Sequence, residues 1–302
     1  MPFEWTLNPY RGCEIGCGYC YARYTHGYLG LDDPRDFERR LFWKEDLPRL
    51  LARDLEKRVY PGQRIAVGTA TDPYQPLERA KEITRGCLRV FARREGLRLS
   101  ITTKSDLVVR DLDLLRVVAA RNSLHVNFSV TTLDRRLARA LEPVAPTPQR
   151  RLQALRTLSA EGIETGLFLM PVLPGLTDGP GALEEVAREA ARAGARFLVH
   201  QCAFLREPAR SFWFERLRDQ WPALLPRYRR WFASGCYAEE DLRRRLARRV
   251  ARIRRATGLA DAPSDPAPAD PQLTLFTVPD PQCPPAGGAP DGGAGHERRM
   301  GE

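Results

Sequence analysis

Asn8-Pro9-Tyr10-Arg11-Gly12-Cys13-Glu14-Ile15-Gly16-Cys17-Gly18-Tyr19-Cys20-Tyr21-Ala22-Arg23 carries three cysteines, Cys13, Cys17 and Cys20, in the spacing C-x3-C-x2-C. Three thiolates so close together can hold three irons of a [4Fe-4S] cluster, which ordinarily takes four cysteine ligands. The remaining iron then keeps an open position, where it can bind and activate a small molecule instead of only passing electrons. Gly12, Gly16 and Gly18 let the backbone wrap closely round such a group. Structural zinc is the competing reading. It requires a fourth Cys or His, and His26 is the only close candidate. A disulfide fits less well, because the seven cysteines are odd in number and no secretory leader opens the sequence.

Working outward, the 302 residues carry a formal charge of +10. Only Lys44, Lys57, Lys81 and Lys104 among the 48 basic residues are lysines. Two readings fit that arginine excess: a GC-rich coding bias, or a polyanionic partner such as nucleic acid. No apolar run approaches the roughly 20 residues of a membrane-spanning helix. With no basic, apolar leader after Met1-Pro2-Phe3, the expected location is cytoplasmic, with no membrane association.

Short apolar runs alternate with helical patterns, the mark of repeated βα units and a parallel sheet. Strands are expected at 3–7, 65–69, 97–102, 125–130, 165–170 and 196–202. Helices are expected at 46–58, 77–94, 112–120, 135–141, 149–160 and 181–193. The fold class is therefore α/β, with about six βα units. Barrel enzymes place their chemistry at the C-terminal ends of strands. Here those ends carry the cysteine loop, Thr69-Ala70-Thr71-Asp72, Thr102-Thr103-Lys104-Ser105, Ser129-Val130-Thr131-Thr132, Met170-Pro171 and His200-Gln201-Cys202.

The cysteine run resembles that of the radical S-adenosylmethionine (SAM) enzymes. Four further runs follow in order: Thr71-Asp72-Pro73-Tyr74-Gln75-Pro76-Leu77-Glu78, Thr103-Lys104-Ser105, Ser129-Val130-Thr131-Thr132-Leu133-Asp134, and Met170-Pro171-Val172-Leu173-Pro174-Gly175-Leu176-Thr177-Asp178. Together they resemble the spore photoproduct lyase-like branch over Trp5 to Gly235. The resemblance implies an open (β/α)6 partial TIM barrel over residues 1–235. Cys13, Cys17 and Cys20 would ligate a [4Fe-4S] cluster, and the open iron would chelate SAM through its amino and carboxylate groups. Tyr19 would flank the adenine, which Met170 would also meet. Lys104 would contact the SAM carboxylate, Ser129 would touch SAM, and Thr71 and Asp72 would belong to the cofactor-binding set. A reductant such as flavodoxin or ferredoxin would supply electrons.

One position departs from the branch. The lyase has a hydrogen-donating cysteine at the end of its second strand, and Thr69 stands there in this chain. An O–H bond is much stronger than S–H, so Thr69 is a poor hydrogen-atom donor. Cys202, at the end of the sixth strand, could supply a substitute thiol; the alternative is a small buried apolar residue.

Residues 236–258 are expected to form a basic helical extension, with the helix at 238–256. Leu242, Leu246, Val250 and Ile253 make its apolar stripe. Arg243, Arg244, Arg245, Arg248, Arg249, Arg252, Arg254 and Arg255 crowd the other faces, and binding DNA phosphates would relieve their mutual repulsion. Residues 259–302, rich in Pro, Gly, Ala and Asp, are expected to be a disordered tail. Its one apolar cluster, Gln272-Leu273-Thr274-Leu275-Phe276, resembles the pentapeptide with which bacterial repair proteins dock into the sliding clamp. The combined expectation is a radical SAM enzyme acting on DNA, with a protein- or small-molecule-modifying enzyme and a non-catalytic metal module as alternatives.

Overall fold

A computed structural model describes residues 3–263, so Gln272–Phe276 lies outside the described residues. Six strands form one parallel sheet: β1 (Trp5–Leu7), β2 (Arg64–Val67), β3 (Arg98–Thr103), β4 (Ser123–Ser129), β5 (Glu164–Val172) and β6 (Phe197–Cys202). Their order across the sheet is their order in the chain, so each strand is laid beside the last by a crossover. Central strands of such sheets are covered on both faces and read as apolar runs. In β4 all residues from Leu124 to Ser129 are buried. The sheet is open: β1 and β6 are its edges.

The helices form where the sequence supplies both a stripe and a start. Leu47–Lys57 has Pro48 in its first turn and buries Leu51 and Leu55. Arg135–Leu141 starts at Asp134, whose carboxylate accepts the amides of Arg136 (2.8 Å) and Leu137 (3.1 Å). Pro148–Ala160 starts at Thr147, whose hydroxyl accepts from the amide of Arg150.

One local expectation changes. The single helix expected at 77–94 is two, Glu78–Lys81 and Ile83–Phe91, broken at Glu82, which takes a left-handed φ of 51°. The Glu78 carboxylate explains the break, since it accepts the amides of Thr84 (2.9 Å) and Arg85 (3.1 Å) and so caps the second helix. A 3₁₀ segment, Tyr21–Leu29, follows the cysteines, and two further helices, Ala209–Gln220 and Leu225–Trp231, follow β6. Their Trp213, Tyr228 and Trp231 are buried against one another.

The basic helix spans Glu240–Thr257 and buries Leu246, Val250 and Ile253. Three of its eight arginines bind the protein. Arg249 holds Glu184 and the carbonyls of Asp178 and Gly179, Arg254 holds the Leu198 carbonyl, and Arg243 holds the Ala238 carbonyl. Arg244 pairs with Asp241 and Glu240, and Arg245 lies 3.9 Å from Glu239. The repulsion expected among the arginines is thus largely relieved inside the protein.

Candidate active site

The cysteine loop leaves β1 through Gly12, whose φ is +86° and where a Cβ would lie 2.8 Å from the Phe37 carbonyl. The loop is then tied down from several sides. Cys13 N donates to Phe37 O at 2.9 Å and Gly18 N to Leu141 O at 3.1 Å. Thr71 Oγ1 donates to Gly12 O at 2.6 Å and accepts from Gln75 Nε2 at 3.1 Å. Gln75 Oε1 accepts from Glu14 N at 2.9 Å, and Glu14 Oε2 accepts from Leu77 N at 2.5 Å. The Thr71–Glu78 run therefore braces the cysteine loop, and the Thr71 hydroxyl has its donor and one acceptor position spent on that brace.

Cys13, Cys17 and Cys20 lie on one wall of a cavity of about 590 Å³. The same cavity is lined by Tyr19, Thr69, Thr71, Asp72, Lys104, Ser129, Met170 and Cys202. All eleven residues singled out in the sequence thus reach one hollow from six strand ends. Thr69 is engaged there: its hydroxyl lies 2.6 Å from Thr6 Oγ1 and accepts from Asn8 Nδ2 at 3.0 Å. Asp72 accepts from Thr103 Oγ1 (2.7 Å), Lys104 N (2.7 Å) and Tyr74 N (2.9 Å). Burial nonetheless pushes its carboxyl up.

Beneath the cysteines lies a buried charge network that sequence reasoning missed. Glu142 and Arg151 pair at 2.5 Å with both side chains almost wholly buried. Glu142 also accepts from the Tyr19 hydroxyl, and Arg151 donates to the Ser129 carbonyl at 2.9 Å. Burial works against ionisation of Glu142, but Arg151 and Lys104 outweigh it and hold its pKa below the usual range. Burial likewise opposes the Lys104 charge, yet Cys17, Glu142 and Asp72 hold its pKa above the usual lysine value. The Lys104 ammonium lies 5.9 Å from the centre of the Tyr19 ring. One signal for Glu142 was available: an acid at the C-terminal end of a helix opposes the helix dipole and so wants another reason to be there. Arg151 was hidden among the many arginines.

Burial pushes the Cys17 thiol up to about 12, with Lys104 opposing the shift. Cys13 and Cys20 are raised for the same first reason. Among the described residues no three His, Cys, Asp or Glu side chains converge where one metal could be held. His26, the zinc reading's fourth ligand, has Nε2 on the Arg40 carbonyl at 2.8 Å, and its ring packs on Phe37 outside the cavity wall. Three thiols on one cavity lining fit the three protein ligands of a [4Fe-4S] cluster with one open iron.

Part of the cavity lining is aromatic: Tyr21, Phe204 and Tyr237 meet there in edge-on and tilted contacts, with Arg243 5.7 Å from the Tyr237 ring. Along the same 3₁₀ segment Tyr24 packs on Tyr28, and Arg206 lies 4.2 Å over Tyr24. Tyr28 is 72% exposed.

Comparison with known proteins agrees with this geometry. The family model described as "Radical SAM superfamily" matches residues 7–190. An uncharacterized protein of Mycobacterium tuberculosis (strain ATCC 25618 / H37Rv) is 34% identical over 279 residues, covering 92% of this chain and 81% of the relative. An uncharacterized protein of Methanocaldococcus jannaschii is 33% identical over 180 residues, 58% of this chain and 62% of its own length. Among solved structures, a cysteine-to-serine mutant of spore photoproduct lyase superposes with a TM-score of 0.64 at 18% identity, covering 84% of this chain and 74% of the lyase. A lyase mutant with bound AdoMet and dinucleoside spore photoproduct gives 0.63 at 18% identity with the same coverage. At that identity the likeness is one of fold. The family match spans well over half of the chain and includes the three cysteines and five of the six strand ends that line the cavity. This chain belongs to the radical SAM superfamily of enzymes, built on the fold that spore photoproduct lyase also has.

Proposed function

We propose that this enzyme holds a [4Fe-4S] cluster on Cys13, Cys17 and Cys20, cleaves SAM reductively, and acts on DNA in repair or modification. The observation that carries the first part is the wall on which three thiols and the Lys104 ammonium share one cavity. When bound, the cluster and SAM supply one electron and a 5′-deoxyadenosyl radical; the protein's work is to bind, orient and shield.

The residues divide that work. The three thiols must lose their protons to bind iron, and Lys104 opposes the rise that burial imposes on Cys17. Lys104 stays protonated and offers its ammonium to a carboxylate. Tyr19 is fixed by its hydroxyl to Glu142 and presents its ring face toward Lys104. Ser129 and Met170 form wall for the same ligand, and Asp72 holds the Lys104 backbone. The Thr69 hydroxyl is committed to Thr6 and Asn8. Cys202 is the available hydrogen holder. It lines the cavity, and burial pushes its thiol up to about 12, so the hydrogen stays on Sγ at neutral pH.

The DNA half rests on the aromatic part of the cavity lining and on Arg206 over Tyr24, since flat rings beside arginine suit unstacked bases and phosphates. The lyase structure with a bound dinucleoside photoproduct supports the same class of substrate. Docking of Gln272–Phe276 into a sliding clamp and reduction by flavodoxin or ferredoxin belong to this reading.

The test is 5′-deoxyadenosine release by anaerobically reconstituted protein given SAM and a reductant, with and without UV-irradiated DNA. Release is expected to rise with damaged DNA and to vanish in Cys17→Ala. Cys202→Ser is expected to keep release and lose the finished DNA product. Release indifferent to DNA would sink the nucleic-acid half; no release from a protein with a full cluster would sink the whole reading.

A further inference from the structure

The cysteine loop has charged neighbours on its outer side. A Cβ on Gly16 would lie 3.5 Å from the Glu38 carboxylate. One on Gly18, between Cys17 and Cys20, would lie 2.6 Å from Nε and 2.7 Å from Cδ of Arg216. Arg216 belongs to the helix Ala209–Gln220, and its side chain lies on the loop where Gly18 leaves room for it. Its Nη2 donates to the Ala140 carbonyl at 2.8 Å, one residue before Leu141, whose carbonyl takes the Gly18 amide. Its Nε is shut off from solvent and has no hydrogen-bond partner among the described residues. Neither Gly18 nor Arg216 lines the cavity, whereas Cys17 and Cys20 do, so the guanidinium backs the thiols from outside.

The other cations round the loop have acids of their own. Arg23 donates to the Cys17 carbonyl at 2.9 Å and pairs with Glu38 at 2.6 Å. Arg151 pairs with Glu142, and Lys104 is held charged by Glu142 and Asp72 as well as by Cys17. Arg216 is half-buried and makes no ion pair among the described residues. Burial is the largest influence against its charge; Glu38 offsets part of it, Arg23 adds to it, and Cys17 favours the cation. Glu38 is already spent on Arg23, so one carboxylate faces two guanidiniums. Burying a cation without an acid of its own costs stability unless another anion stands near. An iron–sulfur cluster on three thiolates is such an anion, and reduction makes it more negative. Net charge round a cluster is one of the influences that set its potential. Resting on the cluster reading above, we infer that Arg216, laid on Gly18 behind the thiols, is a positioning residue whose unpaired charge stabilises the reduced cluster and so eases entry of the electron.

The test is a potential, read without SAM or turnover. The full chain is loaded with iron and sulfide, its iron content is measured, and the paramagnetic resonance of the reduced cluster is followed through a redox titration. In Arg216→Gln the ratio of reduced to oxidised cluster is expected to fall about tenfold at a given potential, a shift of about 59 mV to the negative side for one electron. Arg216→Lys keeps the charge and is expected to keep most of the native potential. Glu38→Gln removes the opposing carboxylate and is expected to move the potential the other way, so the sign can be read even where Arg216→Gln takes up no cluster. In the empty protein, urea unfolding of Arg216→Gln is expected to leave the folding equilibrium within about tenfold of the native one. A fully loaded Arg216→Gln with the native potential would overturn the inference alone. So would a Glu38→Gln whose potential stays or falls. A larger loss of stability in the empty protein with an unmoved potential would overturn it in favour of a purely structural role for the bond to Ala140. A native chain that takes up no iron would overturn the cluster reading and this inference with it.

Discussion

Glu142 and Arg151 meet at 2.5 Å where neither reaches water, and between them they fix Tyr19 and the carbonyl of Ser129. Removing one partner of such a pair strands the other charge and costs about 3–5 kcal/mol. Arg151→Met is therefore expected to lose about that much stability in urea unfolding, while Glu142→Leu/Arg151→Met recovers most of it. A loss under about 1 kcal/mol in the single variant would show that the pair is not buried as described. Residues at strand ends were legible because a parallel barrel delivers every strand end to one side. Lys104 stood out further by its rarity among arginines. Glu142 and Arg151 follow a helix and sit within one, at positions no strand-end rule reaches, and their value comes from meeting each other in the fold.

Among the elements, the strands and most helices were legible from periodicity, because burial on one or two faces writes itself into the spacing of apolar residues. The break at Glu82 was not. The apolar pattern runs on through it, and the cause is a carboxylate four residues earlier that caps the second helix. The pairing of β6 with the last helix has a consequence for acid stability. His200 is held down to about 4, first by burial and then by nearby Arg254. Below pH 6.5 the unfolded chain takes up a proton there that the folded chain refuses until about pH 4. Stability is therefore lost as pH falls through that window, and levels off for this group below it. Because His200 is only partly buried, the expected loss is about 2 kcal/mol rather than the full shift. Unfolding free energies of the native chain and His200→Gln, measured from pH 7 to 4, should converge by that amount; parallel curves would refute it.

For the whole molecule, the net charge of +10 suggested a polyanion, but it did not show which arginines are free to meet one. The fold distinguishes them. Arg243, Arg249 and Arg254 bind the protein, whereas Arg248, Arg252 and Arg255 are exposed on the same helix. If DNA lies along that face, Arg248→Gln/Arg252→Gln/Arg255→Gln should weaken binding and lower the slope of log affinity against log salt by roughly 1 per lost phosphate contact. Binding with an unchanged slope would move the DNA to the aromatic part of the cavity lining alone. The bracing of the cysteine loop carries a last consequence. Where a metal site takes shape only as metal binds, binding and folding share one free energy, and the empty protein is unfolded. Here Thr71, Gln75, Glu14 and the Phe37 carbonyl set the loop by bonds that involve no iron. The loop's shape is therefore carried by groups other than its thiols, as a ring's setting is carried by the band rather than by the stone.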